Sequence, residues 1–548
     1  MFKALVAQHT CSIGLLELER PQPVRLSWAG AFVRWLSELG CESAFCLPGR
    51  HIDQVLAAIE HASDIRLLTA RHEVTAAFMA LGAARLTHRP TLVASIGGPG
   101  AQLMVAVARS ALKDRVPVIF LTGAEDGDDF QSAACDGALY RALGVTSVRI
   151  NEHTPESALA TLAERLRAGD PVHVQIGMNA LLADALRPLV VPLAVEPPVQ
   201  IVAPAPGGIL LAAHPGLCRL APRLRLLAQE YGLCTASTLL ARGVFDERAP
   251  NHLGHLGFGG GHETLLALSK APQVLVLDDH WNSCSGQLAA LWRNGQAEGW
   301  QALRSDSWHL LRQQVCNAPA VLQPHEIRKP CREPEGARQL KALSSDTELR
   351  VREYPIRAIR SAPSEPVSAL AESARKVFTA VWQNLPPQHC LFVDAGELRR
   401  AACELTMVDD AADLLLCERE APMGFALSAS IGASFAQAER AIVALMGDGS
   451  FLMHAGELAT AAAARLPLVF VVHQNGSLGA PAERARGQSW SKHCLLPEFD
   501  STALAQSLGV EAELLSSPVS LGSALRSALR WTQRNARPYL IAVRWRQS

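Results

Sequence analysis

A chain of 548 residues, 49% hydrophobic and 19% charged, has material for three or four packed units of ordinary size. Its formal net charge of −1 gives no global field for nucleic acid or an anionic membrane surface. The 13 cysteines are odd in number and contain no CxxC pair, which argues against a disulfide framework or a zinc site and suits a reducing, cytoplasmic location. The acidic Glu17 and Glu19 follow only a weak apolar run, so the start of the chain does not read as a signal peptide.

Three blocks of alternating strands and helices follow in chain order. In the first, apolar runs Ile65–Leu68, Thr91–Ile96, Val116–Thr122 and Val172–Ile176 alternate with helical patterns at Ala29–Leu39 and Glu73–Leu86. That alternation predicts a parallel sheet covered by helices. A Pro-rich connector runs from Arg187 to Gly208. The second block contains a strand at Val274–Leu277 and a loop at Gly257–Gly261, and no GxGxxG fingerprint follows a strand there. Residues 328–365, charged and Pro-containing, read as a second linker. The third block holds apolar runs at Leu391–Val393, Ala441–Met446, Leu466–Val472 and Tyr539–Val543. The uncharged, small-residue stretch beginning at Ala421 reads as a helix packed on that sheet and not as a membrane span. The fold class expected is α/β, with three doubly wound parallel-sheet domains over residues 1–186, 209–330 and 366–548.

The most informative residues lie in the third block. Gly447-Asp448-Gly449-Ser450 ends one strand, and Asn475-Gly476-Ser477-Leu478-Gly479 ends the next. In a parallel sheet both turns fall on the carboxyl edge, where ligands collect. Asp448 offers a carboxylate oxygen and Asn475 an amide oxygen, both suited to a small hard cation such as Mg²⁺. The glycines admit a phosphate close to the backbone. The chemistry alone is that of a Mg²⁺–diphosphate site.

These turns, with Glu457-Leu458-Ala459-Thr460-Ala461 and Leu466-Pro467 between them, resemble the GDG…N signature of thiamine-diphosphate (ThDP) enzymes. Gln474 departs from the usual Asn-Asn pair, and the ligand Asn475 is kept. In the first block, Arg71-His72-Glu73 with Ala76-Ala77, Ala80, Gly82 and Ala84-Arg85 resembles the pyrimidine-domain motif of that family. Gly97-Gly98-Pro99-Gly100-Ala101 and Pro117–Gly123 fall in the matching order. The group most similar is that of acetolactate synthase and pyruvate decarboxylase, with a loop like that of benzaldehyde lyase.

The resemblance implies roles. Glu73 would hydrogen-bond N1′ of the aminopyrimidine and control the proton traffic that activates thiazolium C2; taken alone, it is a first-turn Glu serving a helix dipole. Asp448, Asn475 and Ser477 would hold Mg²⁺. Gly396, Glu397 and Leu398, Gly447 to Ser450, Leu478 and Gly479 would line the cofactor, with Met423 under its bent form; outside this motif Met423 would read as core filler. His51, in Cys46-Leu47-Pro48-Gly49-Arg50-His51-Ile52-Asp53, is the acid/base candidate on the substrate side. Arg50 has two readings, a clamp for a substrate carboxylate or a surface ion pair. Gln131, after Phe130, faces the substrate in relatives. Arg399 and Arg400 read either as added positive charge or as a solvated helix face.

Residues 235–257 resemble the central domain of the group. There, Leu277-Asp278-Asp279-His280-Trp281 replaces the usual Leu-Gly-Ala-Arg-Phe, which weighs against bound FAD. Leu103 stands where many relatives have Asn, and the segment from Ala480 lacks an aromatic-rich stretch of acetolactate synthases. The implied function is a ThDP- and Mg²⁺-dependent carbon–carbon lyase or carboligase acting on a 2-oxo acid or 2-hydroxy ketone, with an aldehyde or ketone as further substrate. A 2-oxo acid decarboxylase and a non-catalytic regulatory subunit are the alternatives. A homodimer or homotetramer is implied, because the family sets Glu73 of one subunit against the diphosphate domain of another.

Overall fold

The computed structural model describes residues 28–62, 64–124, 136–150, 156–177, 208–213, 215–230, 232–271, 273–277, 300–303, 368–417, 420–437 and 439–544. Gln131, the segment 278–281 bearing on FAD and both expected linkers lie outside these residues, apart from Gly208 at the end of the first connector.

Three parallel sheets organise the chain. The first contains β1 (Ser43–Cys46), β2 (Arg66–Thr69), β3 (Thr91–Ile96), β4 (Val118–Ala124), β5 (Thr146–Ile150) and β6 (Val172–Gly177). Its order is β2-β1-β3-β4-β6-β5. The second contains β7 (Ile209–Ala212), β8 (Cys234–Thr238), β9 (His252–Leu256), β10 (Val274–Leu277) and β11 (Trp300–Leu303), in the order β11-β10-β7-β8-β9. The third contains β12 (His389–Val393), β13 (Leu414–Leu415), β14 (Ala441–Gly447), β15 (Leu468–Gln474), β16 (Glu511–Leu515) and β17 (Tyr539–Arg544). Its order, β13-β12-β14-β15-β17-β16, repeats that of the first sheet strand for strand. The α/β class with parallel sheets is therefore as the sequence predicts.

Both outer sheets reverse their winding direction between two central strands, β1 and β3 in one and β12 and β14 in the other. Such a switch point leaves a crevice beyond the carboxyl ends of the strands. Strand-end segments stand there: Leu47 to His51 after β1, Gly97 to Gly100 after β3, Asp394 to Glu397 after β12, and Asp448, which opens a helix, after β14.

The helices Glu73–Thr87 and Phe425–Ala436 join the first and third sheets. Each is buried almost all round, as expected of a helix apolar on every face. Their backbones touch: a Cβ on Gly82 would collide with the Ala429 carbonyl, and one on Gly432 with the Met79 carbonyl. Phe45, Met79 and Phe120 of the first block share one apolar core with Phe392, Phe425, Met446 and Phe470 of the third. Arg85 completes the seam by donating to the Leu416 carbonyl and pairing with Asp114 at 3.6 Å.

The second block is tied to the third by a buried ion pair. Arg242 holds Glu247 at 2.7 Å and donates to the Thr406 carbonyl at 2.8 Å, while Glu247 accepts from Val408 N–H. Among the described residues, no helix is long and apolar enough to cross a membrane.

Candidate active site at the carboxyl edge of the third sheet

β14 and β15 pair in parallel, with Met446 opposite Val472 and Gly447 opposite His473. Their ends therefore deliver Asp448 and Asn475 to the same edge. The Asp448 carboxylate accepts Gly449 N–H at 3.0 Å and Gly476 N–H at 2.7 Å, so it spans both turns. It is only 2% exposed. Burial pushes its pKa up to about 6, against the pull of the Gly476 and Gly449 amides. The Asn475 side-chain oxygen accepts from the backbone N–H of Ser477 at 3.0 Å and from its hydroxyl at 3.3 Å. Ser477 is itself buried. The turn is pinned from outside, since Leu478 N–H donates to Cys494 O and Leu496 N–H to Gly476 O.

A second acid organises the same edge, and sequence reasoning did not single it out. Asp394 follows β12 and is fully buried. Its carboxylate accepts from Gly424 N–H at 3.1 Å, Ala426 N–H at 2.8 Å, Ala395 N–H at 2.9 Å and the Ser450 hydroxyl at 2.8 Å. One side chain thus gathers the loops of Gly396, Met423 and Ser450. Burial raises its pKa despite these donors. The available signal was an acid directly after an apolar strand and two residues before a glycine, in Val393-Asp394-Ala395-Gly396.

The edge has room for a ligand. A Cβ on Gly396, Gly447 or Gly476 would meet nothing within 4 Å, and Gly396 (φ 94°) and Gly476 (φ 71°) have backbones that favour glycine. Glu397 begins the helix Glu397–Leu405 and lies 3.5 Å from Arg400. The Leu398 side chain is in the core, so only its backbone is available to a ligand. Met423 and Leu478 converge over Gly449: a Cβ there would lie 2.7 Å from Leu478 Cδ2 and 3.2 Å from Met423 Cε. The Ser450 hydroxyl is engaged by Asp394. Gly479 opens the helix Gly479–Arg484 beside Asn475. Hard oxygens from Asp448 and Asn475 beside open glycines fit a cation-bound diphosphate.

Glu73 is the first residue of its helix, behind the His72 cap, whose Nδ1 accepts Val74 N–H. Its Oε1 points toward the first sheet's switch point, 3.3 Å from where a Cβ of Gly100 would sit. His51 is half-buried, and its backbone is so close to Gly123 that a Cβ there would collide with the His51 carbonyl. Arg50 is exposed. Arg399 donates to the Cys417 carbonyl, and the guanidiniums of Arg399 and Arg400 stand 4.4 and 5.7 Å from the Phe258 ring. Both arginines thus face the second block.

Two domain models match the chain at its ends. Residues 27–141 match the thiamine pyrophosphate enzyme N-terminal TPP binding domain, and residues 394–543 the C-terminal TPP binding domain. The chain belongs to the thiamine pyrophosphate enzymes. The first matched segment spans β1 to β4 with Glu73, and the second spans β13 to β16 and most of β17 with Asp448 and Asn475. Similar proteins include the acetolactate synthase isozyme 1 large subunit of Escherichia coli, 26% identical and covering 83% of each chain. A probable acetolactate synthase large subunit of Methanocaldococcus jannaschii is 25% identical over 94% of this chain and 91% of its own. The structure of a thiamine diphosphate-dependent 4-hydroxybenzoylformate decarboxylase from Rhodococcus jostii RHA1 superposes with a TM-score of 0.67. It covers 95% of this chain and all of its own at 18% identity, a likeness of fold.

Proposed function

We propose that this thiamine pyrophosphate enzyme is a Mg²⁺-dependent carbon–carbon lyase or carboligase acting on a 2-oxo acid or 2-hydroxy ketone. The observation that carries the reading is the Asp448 carboxylate beside Asn475 at adjacent strand ends, bonded across to Gly476 at 2.7 Å. Bound ThDP supplies an electron sink for making and breaking the bond next to a carbonyl.

The residues divide the work. Asp448, Asn475 and Ser477 hold the cation through oxygen atoms. Gly396, Glu397, the Leu398 backbone, Gly447, Gly449, Ser450 and Gly479 receive the diphosphate, while Met423 and Leu478 give the cofactor an apolar prop. Glu73 holds the proton at N1′ of the aminopyrimidine. His51 handles protons on the substrate side, and Arg50 and Gln131 read the substrate's polar group. The domains run over 1–186, 209–330 and 366–548, and the working form is a homodimer or homotetramer in the cytoplasm.

The test is product analysis with ThDP, Mg²⁺, pyruvate and a panel of aldehydes. A new carbon–carbon bond, or its cleavage in a hydroxy ketone, is expected. Carbon dioxide and free aldehyde alone would make the protein a simple decarboxylase, and no turnover of any 2-oxo acid or hydroxy ketone would sink the reading.

A further inference from the structure

The third block holds the turn that carries Glu73. Glu457 lies just after the helix Asp448–His454, in the short turn Ala455–Glu457, and is 1% exposed. Its Oε1 accepts two hydrogen bonds from the first block, Arg71 N–H at 2.8 Å and the Thr75 hydroxyl at 2.5 Å. Those residues are two before and two after Glu73. The other oxygen accepts from the Thr460 hydroxyl at 2.6 Å, which orients the carboxylate from its own helix. The Thr75 hydroxyl also reaches the His72 carbonyl at 2.7 Å. One carboxylate oxygen therefore brackets Glu73 from both sides, at a helix N-terminus where negative charge is favoured.

Burying a carboxylate is costly, and core packing alone would be served by an apolar residue of similar size. The seam is already held by the bare-backbone contacts of Gly82 and Gly432. We infer that Glu457 is a positioning residue for Glu73: it fixes the height and tilt of the turn from which the Glu73 carboxylate reaches the cofactor. This rests on the role of Glu73 proposed above. Glu457 also links that turn in sequence to Asp448, so the cation turn and the proton-handling turn share one rigid connection.

Two measurements test it. In the cofactor-free protein, amide hydrogen exchange at Arg71 is expected to speed up at least ~10-fold in Glu457→Ala, the scale of losing a held hydrogen bond to a carboxylate. With ThDP and Mg²⁺ bound, exchange of the cofactor's C2 proton is expected to slow ~10- to 10²-fold, the scale of a displacement near 1 Å. Adding Glu457→Ala to Glu73→Gln should cause little further loss. Thr75→Val, which removes one tether and leaves the carboxylate, should show both effects more weakly, and it carries the test if Glu457→Ala does not fold. Unchanged Arg71 exchange in these variants, or wild-type C2 exchange while Glu73→Gln is slow, overturns the inference. Wild-type C2 exchange in Glu73→Gln itself overturns the proposed role of Glu73 instead.

Discussion

The Ser450 hydroxyl donates to the Asp394 carboxylate at 2.8 Å, joining the helix that follows β14 to the loop after β12 across the switch point of the third sheet. The same carboxylate holds the amides of Gly424 and Ala426, next to Met423. Three segments far apart in the chain meet on one buried acid. Asp394→Ala would strand three amides, those of Ala395, Gly424 and Ala426, and the Ser450 hydroxyl without this acceptor. A loss of roughly 2–5 kcal/mol in stability is expected, since each stranded buried group costs about 1–3 kcal/mol. Denaturant unfolding of the cofactor-free protein measures it, and an unchanged midpoint would show that the hub is dispensable.

Asp448→Ala removes the charge at the centre of the proposed cation site. Calorimetry with Mg²⁺ present should show tight ThDP binding abolished. Unchanged affinity would end the assignment of Asp448 as a cation ligand.

Glu73→Gln keeps the shape of the side chain and removes its proton-transfer capacity. ThDP should still bind, while exchange of the C2 proton slows ~10²–10⁴-fold, the usual scale for losing a general acid–base group. Isotope exchange followed by NMR reads this directly, and a wild-type rate would refute the role.

The pH dependence follows from Asp448. Its folded carboxyl has a pKa of about 6, above the ordinary 3.8, so the cation-free fold retains this proton better than the unfolded chain. The stabilising preference for the protonated form is therefore lost as pH rises from about 4 to about 6. A cation takes the ionised form, so Mg²⁺-dependent ThDP affinity should rise with pH up to about 6 and level off above it. One pH unit below that value, affinity should be about tenfold weaker. Titrations at about pH 5 and about pH 7 that agree within twofold would contradict this.

Gly432→Ala tests the seam between the outer sheets. The new methyl would run into the Met79 carbonyl, which belongs to a helix backbone and cannot swing aside. Overpacking of this kind costs about 1–3 kcal/mol. Chemical denaturation should show a lower midpoint with an unchanged slope; an unaltered midpoint would mean that the helices can separate freely.

Much of the fold was legible because its signals are local. Apolar runs predicted β3 and β10 to the residue, and β14 and β15 to within two, since a strand buried on both faces must be continuously apolar. The alternation of strands and helices led to parallel sheets, and the strand-end position of Asp448 and Asn475 placed both on one edge. The shared strand order of the outer sheets was not legible, because the order of pairing depends on which crossover packs where. Asp394, and the role of Glu457 within its motif, escaped for a related reason. Their donors lie at Gly424, Ala426 and Ser450 in one case and at Arg71 and Thr75 in the other, tens to hundreds of residues away. The sequence by itself determined which residue types stand at the strand ends, and hence the chemistry available there. Only the tertiary structure decided which acids stand beside the open glycines of the sheet edge and which are walled in holding segments together, because a carboxylate's role depends on the donors and the space brought to it.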